Sequence, residues 1–222
     1  PFGPGSIYTD RNGVPTVICG LDFWHTKDDE NGTPRQSSMS IKKSTVMEPR
    51  LADLLKVSHF RQPPENYSDK NNPEVSHLKI QGLRFPRWYV NSATSQLKRF
   101  NFETQRMVPT EKGSWKPVRF ITVCSGGHMG DFPWKAWAKC NCPSETGLVL
   151  RDSGGVDLGS ISVQCTFCKN SRTLMGATSI NRELKTSGLQ TAGITQCTGE
   201  RPWLGEAGTQ TGCQMVMAGV LI

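Results

Sequence analysis

Ile161-Ser-Val-Gln-Cys165-Thr-Phe-Cys168 is a short, partly β-branched run that delivers two cysteines, three positions apart, into one tight turn. The alternation of Ile161, Val163 and Cys165 predicts a strand with one face turned inward. The Cys-x-x-Cys that closes it predicts a metal knuckle, because one turn aims both sulfurs and the nearby backbone amides at the same point. Zinc takes four soft or borderline donors in a tetrahedron, so a second pair is needed. Cys197 and Cys213, separated by a loop that holds Pro202, Gly205, Gly208 and Gly212, supply it. The expected site is one Zn2+ held by Cys165, Cys168, Cys197 and Cys213, stabilising the C-terminal half. Cys124, His128, Cys140 and Cys142 form a second arithmetically complete set, at the less usual spacings Cys-x3-His and Cys-x-Cys. Taken singly, Cys124 reads as a small buried hydrophobe at a strand end and Cys19 as core. His128 reads as a residue that orders its own turn.

Upstream of the knuckle, Val118-Arg-Phe-Ile-Thr-Val-Cys124 alternates well enough for a central strand and runs into the Gly-rich turn Ser125 to Asp131. Phe132-Pro-Trp-Lys-Ala-Trp137 predicts a short helix with Pro133 in its first turn. Leu83 to Val90 predicts a strand that Pro86 confines to an edge or bulge. Pro15 to Cys19 predicts a buried strand after a turn at Asp10-Arg-Asn-Gly13. Leu51, Leu54 and Leu55 at helical spacing predict a helix over Glu48 to Leu55, and a second helix is expected around Ile180 to Leu184. Residues 25–44 and 61–77 read as polar surface connections, and the apolar run Met215 to Ile222 as a strand cut off before its partner. These expectations define an α+β chain of mostly short antiparallel strands and loops with few helices. It divides near residue 115, into a mixed module at 1–115 and a cysteine-rich module at 116–222.

With 36% hydrophobic residues, 22 Gly and 14 Pro, the chain is loop-rich, and something besides core burial is expected to hold it together. Its formal charge of +7 favours an anionic partner, nucleic acid above all, although no basic run exceeds a pair such as Lys42-Lys43. There is no stretch of 18 apolar residues and no signal-like start, which argues against a membrane span and for the cytoplasm. A reducing compartment in turn favours metal ligation over disulfides for the eight cysteines. No Walker A, G-x-G-x-x-G or G-x-S-x-G occurs, so ATPase or dinucleotide chemistry is not expected, nor a small-molecule substrate. A hydrolytic centre built on Cys124, His128 and Asp131 is a third reading, and it lacks a further orienting group.

Several phrases in order carry a family resemblance. They are Pro1-Phe-Gly-Pro-Gly-Ser6, Gly20-Leu-Asp-Phe-Trp24, Phe60-Arg-Gln-Pro-Pro64, Phe85-Pro-Arg-Trp88, Cys124-Ser-Gly-Gly-His128, Asp131-Phe-Pro-Trp134, the Cys165/Cys168 knuckle, and Cys197-Thr-Gly-Glu-Arg-Pro-Trp-Leu-Gly205 followed by Cys213. This series resembles the N-terminal part of the DrmB-type subunit of the DISARM anti-phage defence system. The resemblance implies a non-catalytic accessory subunit that partners a DrmA-type helicase. That partner supplies ATP hydrolysis, and the two bind DNA together. The expected contacts are cations beside aromatic residues, namely Arg84, Arg87, Trp88, Lys135 and Lys139. The competing expectation is a scaffold that docks the helicase and never touches DNA.

Overall fold

The computed structural model of the chain describes residues 3–28, 30, 34–36, 38–64, 79–101, 112–144, 146–205, 213 and 216–220. The architecture is α+β, with short strands in antiparallel ladders and four brief helices among these residues. No strand exceeds five residues and no helix exceeds seven. No helix of the described residues is long and apolar enough to cross a membrane. The chain folds as two compact units whose segments interleave along the sequence.

The first unit comprises Pro1–Tyr8, Val17–Leu83 and Trp203–Gly205. It holds the ladders Thr26–Asp28 with Pro34–Gln36 and Thr45–Val46 with Phe60–Arg61. Its helix Pro49–Leu55 begins on a proline, whose fixed φ suits a first turn, and ends where Lys56 turns left-handed at φ 54°. Only Ala52 of that helix is buried. The leucines whose spacing predicted the helix, Leu51, Leu54 and Leu55, are exposed. Residues 65–77 of the expected connection lie outside the described residues.

The second unit comprises Thr9–Thr16, Arg84–Pro202 and Glu206–Ile222. It contains three three-stranded sheets. In the first, Trp88–Asn91 is flanked by Trp115–Pro117 and Leu97–Arg99. The expected run from Leu83 is therefore divided. Pro86 falls in the break between Gly82–Arg84 and Trp88–Asn91, and the latter is a central strand, not an edge. The pairing of Trp115–Pro117 with Trp88–Asn91 also joins residues from both sides of position 115.

In the second sheet, Phe120–Cys124 lies between Met129–Asp131 and Val216–Val220. The C-terminal run thus has its partner, with Phe120 opposite Val220 and Cys124 opposite Val216. The third sheet sets Ile161–Cys165 between Leu148–Asp152 and Ser171–Thr173. Instead of a helix at Ile180 to Leu184, Ile180–Asn181 pairs with Thr186–Ser187. The Asn181 side chain accepts the Leu184 N–H, closing the turn. The helix comes next, at Gly188–Thr191, because Ser187 and Gln190 form a reciprocal capping box.

One core unites these sheets, built from Trp88, Leu97, Phe120, Phe132, Trp134, Trp137, Leu148, Val163, Leu174 and Leu189 with four of the ligand cysteines discussed below. Phe132 stands 4.5 Å from Trp134 and 5.8 Å from both Phe120 and Trp137, so the short helix Trp134–Trp137 is pinned by its rings. Burying such side chains contributes roughly 2–3 kcal/mol each.

Candidate metal centres

Eight donors on the second unit gather into two groups of four. Cys124, His128, Cys197 and Cys213 form one, and Cys140, Cys142, Cys165 and Cys168 the other. Within each group every ligand atom lies within 4.8 Å of the rest. All eight cysteines are free thiols.

The first group begins where the central strand Phe120–Cys124 ends. Cys124 turns through Ser125-Gly126-Gly127, Gly127 taking φ +74°, and the chain returns along Met129–Asp131. This hairpin sets Cys124 Sγ 3.2 Å from His128 Nδ1. Met129 donates its N–H to the Glu200 carbonyl, tying in the loop that carries Cys197. Cys213 stands three residues before Val216, which registers opposite Cys124, and its Sγ lies 3.3 Å from His128 Nδ1. Gly126 leaves the space these donors occupy: a Cβ there would sit 3.2 Å from the His128 ring and 3.3 Å from Cys213 Sγ.

The second group joins the loop after Trp134–Trp137 to the knuckle. Lys139 turns left-handed at φ 51°, and Cys140 donates its N–H to the Lys135 carbonyl. Cys165 ends its strand, and Lys169, at φ 65°, closes the knuckle by donating its N–H to the Cys165 carbonyl. Asn170 Nδ2 donates to the Lys139 carbonyl at 2.5 Å, clasping the two segments together. Cys165 and Cys142 sulfurs stand 3.9 Å apart.

These spacings suit a tetrahedral ion. Four sulfurs at about 2.3 Å from zinc stand about 3.8 Å apart, and a nitrogen in place of one sulfur shortens that slightly. The local electrostatics help as well. Burial pushes the Cys165 thiol up, but the amides of Cys168 and Phe167 and the neighbouring thiols outweigh it, lowering it to about 6. Burial likewise opposes ionisation of Cys124, yet the His128 amide and the Cys213, Cys197 and His128 side chains bring it down to about 7. Cys165 and Cys124 are thereby drawn towards the thiolate near neutral pH. Burial pushes Cys140 up to about 12 and Cys197 up to about 11, and it raises Cys142. Cys19, a core residue as expected, is also raised by burial.

The four cysteines expected as one site thus divide. Cys165 and Cys168 sit with Cys140 and Cys142, whereas Cys197 and Cys213 sit with Cys124 and His128. Spacing alone joined the two C-terminal pairs, because it carries no information on strand register. The signals for the grouping seen in the structure were the Gly-Gly hairpin that folds Cys124 onto His128 and the strand character of residues 216–220. Cys124 and His128 were read singly, as core and as turn, and both stand among the donors.

The expected nucleic-acid contacts also separate. Trp88 is 5% exposed, in the core, and cannot stack on a base. Arg87 is held by Asp131 at 2.8 Å and Glu200 at 2.7 Å. Burial works against its charge, but the two carboxylates outweigh this and raise its pKa. Arg84 and Lys139 are exposed, and Lys135 is half-buried on the wall of a 460 Å³ cleft shared with Arg87 and Arg99. Asp131, the acid of the hydrolytic reading, bonds Arg87 and Arg99.

A fold of short strands around two groups of four Cys/His donors defines a chain whose second unit could hold metal ions. The chain belongs to the family described as Domain of unknown function (DUF8724), which matches residues 1–222. It is also 27% identical over 145 residues to the "DISARM protein DrmB" of Bacillus paralicheniformis (strain ATCC 9945a / NCIMB 11709 / CD-2), as the resemblance of the ordered phrases led one to expect. That alignment takes in 60% of this chain, and the chain spans about a quarter of the length of that curated relative, 24%.

Proposed function

We propose that the chain is a zinc-stapled module of a DrmB-type subunit in a cytoplasmic anti-phage defence complex, where it associates with DNA beside a DrmA-type helicase. The similarity to a DISARM DrmB protein carries the assignment to a defence system. Zinc is favoured by donor chemistry. Four cysteines, or three cysteines and a histidine, are its usual closed sets, and four protein donors leave no open position for a reacting water. Such ions fix loops instead of doing chemistry, which supports an accessory role with ATP hydrolysis left to the helicase. The formal charge of +7 supports the DNA part. Of the expected contacts, Arg84, Lys135 and Lys139 retain that role. Arg87 and Trp88 are reassigned to the fold.

The test is elemental analysis of the purified chain, followed by DNA binding at rising salt with and without the helicase subunit. Two zinc ions per chain and an affinity that falls steeply with salt are expected. Metal-free protein, or binding indifferent to salt, rejects the reading. The scaffold alternative draws on the first unit, where Met47, Leu51, Leu54, Leu55 and Val57 are exposed together on and around one short helix. Leu54→Glu that blocks assembly with the helicase, in a chain with no DNA affinity of its own, would favour it.

A further inference from the structure

Phe167 is an aromatic residue with 61% of its surface exposed at the tip of the Cys165–Cys168 knuckle. The ring is held in place. It lies against Gly147, where any Cβ would run into it, and Thr166 beside it donates its N–H to the Gly147 carbonyl at 2.8 Å. Two exposed lysines flank the same cluster, Lys139 immediately before the ligand Cys140 and Lys169 immediately after the ligand Cys168. The Asn170 bond to the Lys139 carbonyl brings their segments together. Both lysines occupy left-handed backbone, φ 51° and 65°, where glycine or asparagine fits with less strain. The described residues of the two ligand segments, 139–144 and 165–170, carry two lysines and no acid.

We propose that this knuckle is a stacking platform for single-stranded nucleic acid, with Phe167 receiving one base and Lys139 and Lys169 the flanking phosphates. The inference rests on the DNA-associated reading above and narrows it. A ring can receive only a base that is free of its own neighbours, so an unpaired strand fits and an intact duplex does not. Lysine supplies a point charge to phosphate without reading sequence, so binding is expected to tolerate any base order. The patch also supplies the exposed aromatic that Trp88, being buried, cannot.

The experiment measures fluorescence anisotropy of the metal-loaded full chain with a labelled oligothymidylate of about fifteen nucleotides, and with a duplex of equal length, a span that covers one such site. Phe167→Ala is expected to weaken single-strand binding about tenfold and leave duplex binding unchanged. Phe167→Trp is expected to restore it, with new indole fluorescence quenched by the oligonucleotide. Lys139→Gln with Lys169→Gln is expected to lower the salt slope by about 1.4, at about 0.7 per phosphate contact. Metal content separates these effects from a collapsed knuckle, since none of the three side chains is a ligand. If the wild type binds DNA and Phe167→Ala binds the single strand equally well, the platform is refuted and the broader DNA reading survives. If the wild type binds neither probe, both fall. If Phe167→Ala instead loses a protein subunit while keeping the oligonucleotide, the ring belongs to a protein contact and the proposal is overturned.

Discussion

Gly126 sits where a side chain has no space once a metal is in place. Its hypothetical Cβ falls 3.2 Å from the His128 ring and 3.3 Å from Cys213 Sγ, and neither group can retreat while it is a ligand. Gly126→Val is therefore expected to lose the ion of the Cys124 group and keep the ion of the Cys140 group. One metal per chain in place of two would be read by elemental analysis, and retention of both would refute the crowding argument. Protons provide a second test at this scale. Cys165 is lowered to about 6 and so is already a thiolate at neutral pH, but Cys140, pushed up to about 12, still holds its proton. Loading the ion must expel that proton and the one on Cys142, so affinity rises with pH and falls on acidification. In the metal-free chain the signs oppose. The lowered Cys165 adds stability that is full above its ordinary value of 9.0 and is lost as pH falls towards 6. The raised Cys140 adds stability that is full below 9.0 and is lost as pH rises towards 12. Between about pH 8 and pH 6 the Cys140 contribution is constant and only that of Cys165 is being lost. At this group metal-free stability therefore falls on acidification with one proton, and metal affinity falls with the two that Cys140 and Cys142 must release. Chelator competition and urea unfolding together can decide that difference.

Among elements, the legible ones were those whose periodicity and punctuation agree. The strands at Phe120–Cys124 and Ile161–Cys165 and the helix Trp134–Trp137 follow from alternation and from Pro133. What failed did so for identifiable reasons. Ile180 to Leu184 has helical spacing, but Asn181 captures the Leu184 N–H and Lys185 turns left-handed at φ 50°, so a hairpin forms and the capping box moves the helix downstream. Pro49–Leu55 was legible as a helix but not as an exposed one, because amphipathic spacing records a face without saying what covers it. The helix Trp134–Trp137 has four residues and no intrinsic stability, so its rings must hold it. Phe132→Ala is accordingly expected to cost about 4 kcal/mol in urea unfolding of the metal-loaded chain. A loss below about 1 kcal/mol would mean that the ring cluster is not what pins the helix.

For the whole molecule, the ligands are nested. The complete Cys140–Cys168 set lies in sequence between the halves of the Cys124–Cys213 set. Joining His128 to Cys213 through an ion would span 85 residues, and a cross-link closing a loop of that size removes chain entropy worth about 4.6 kcal/mol from the unfolded state. An ion held there would supply the stabilisation a Gly-rich composition withholds from the core. Nesting was out of reach from spacing, since a nested and an adjacent arrangement of the pairs use the same eight residues. The register of Val216–Val220 on Phe120–Cys124 separates them, together with the Asn170 bond to the Lys139 carbonyl. The two arrangements also predict different metal counts. If Cys165 and Cys197 held one ion in common, Cys165→Ser and Cys197→Ser would empty the same site, and the double variant would lose no more metal than either single variant. In the nested arrangement each single variant loses a different ion, and the double variant loses both. A metal content of one, one and none per chain in the three proteins is expected, and equal content in all three would return the ligands to a single shared centre.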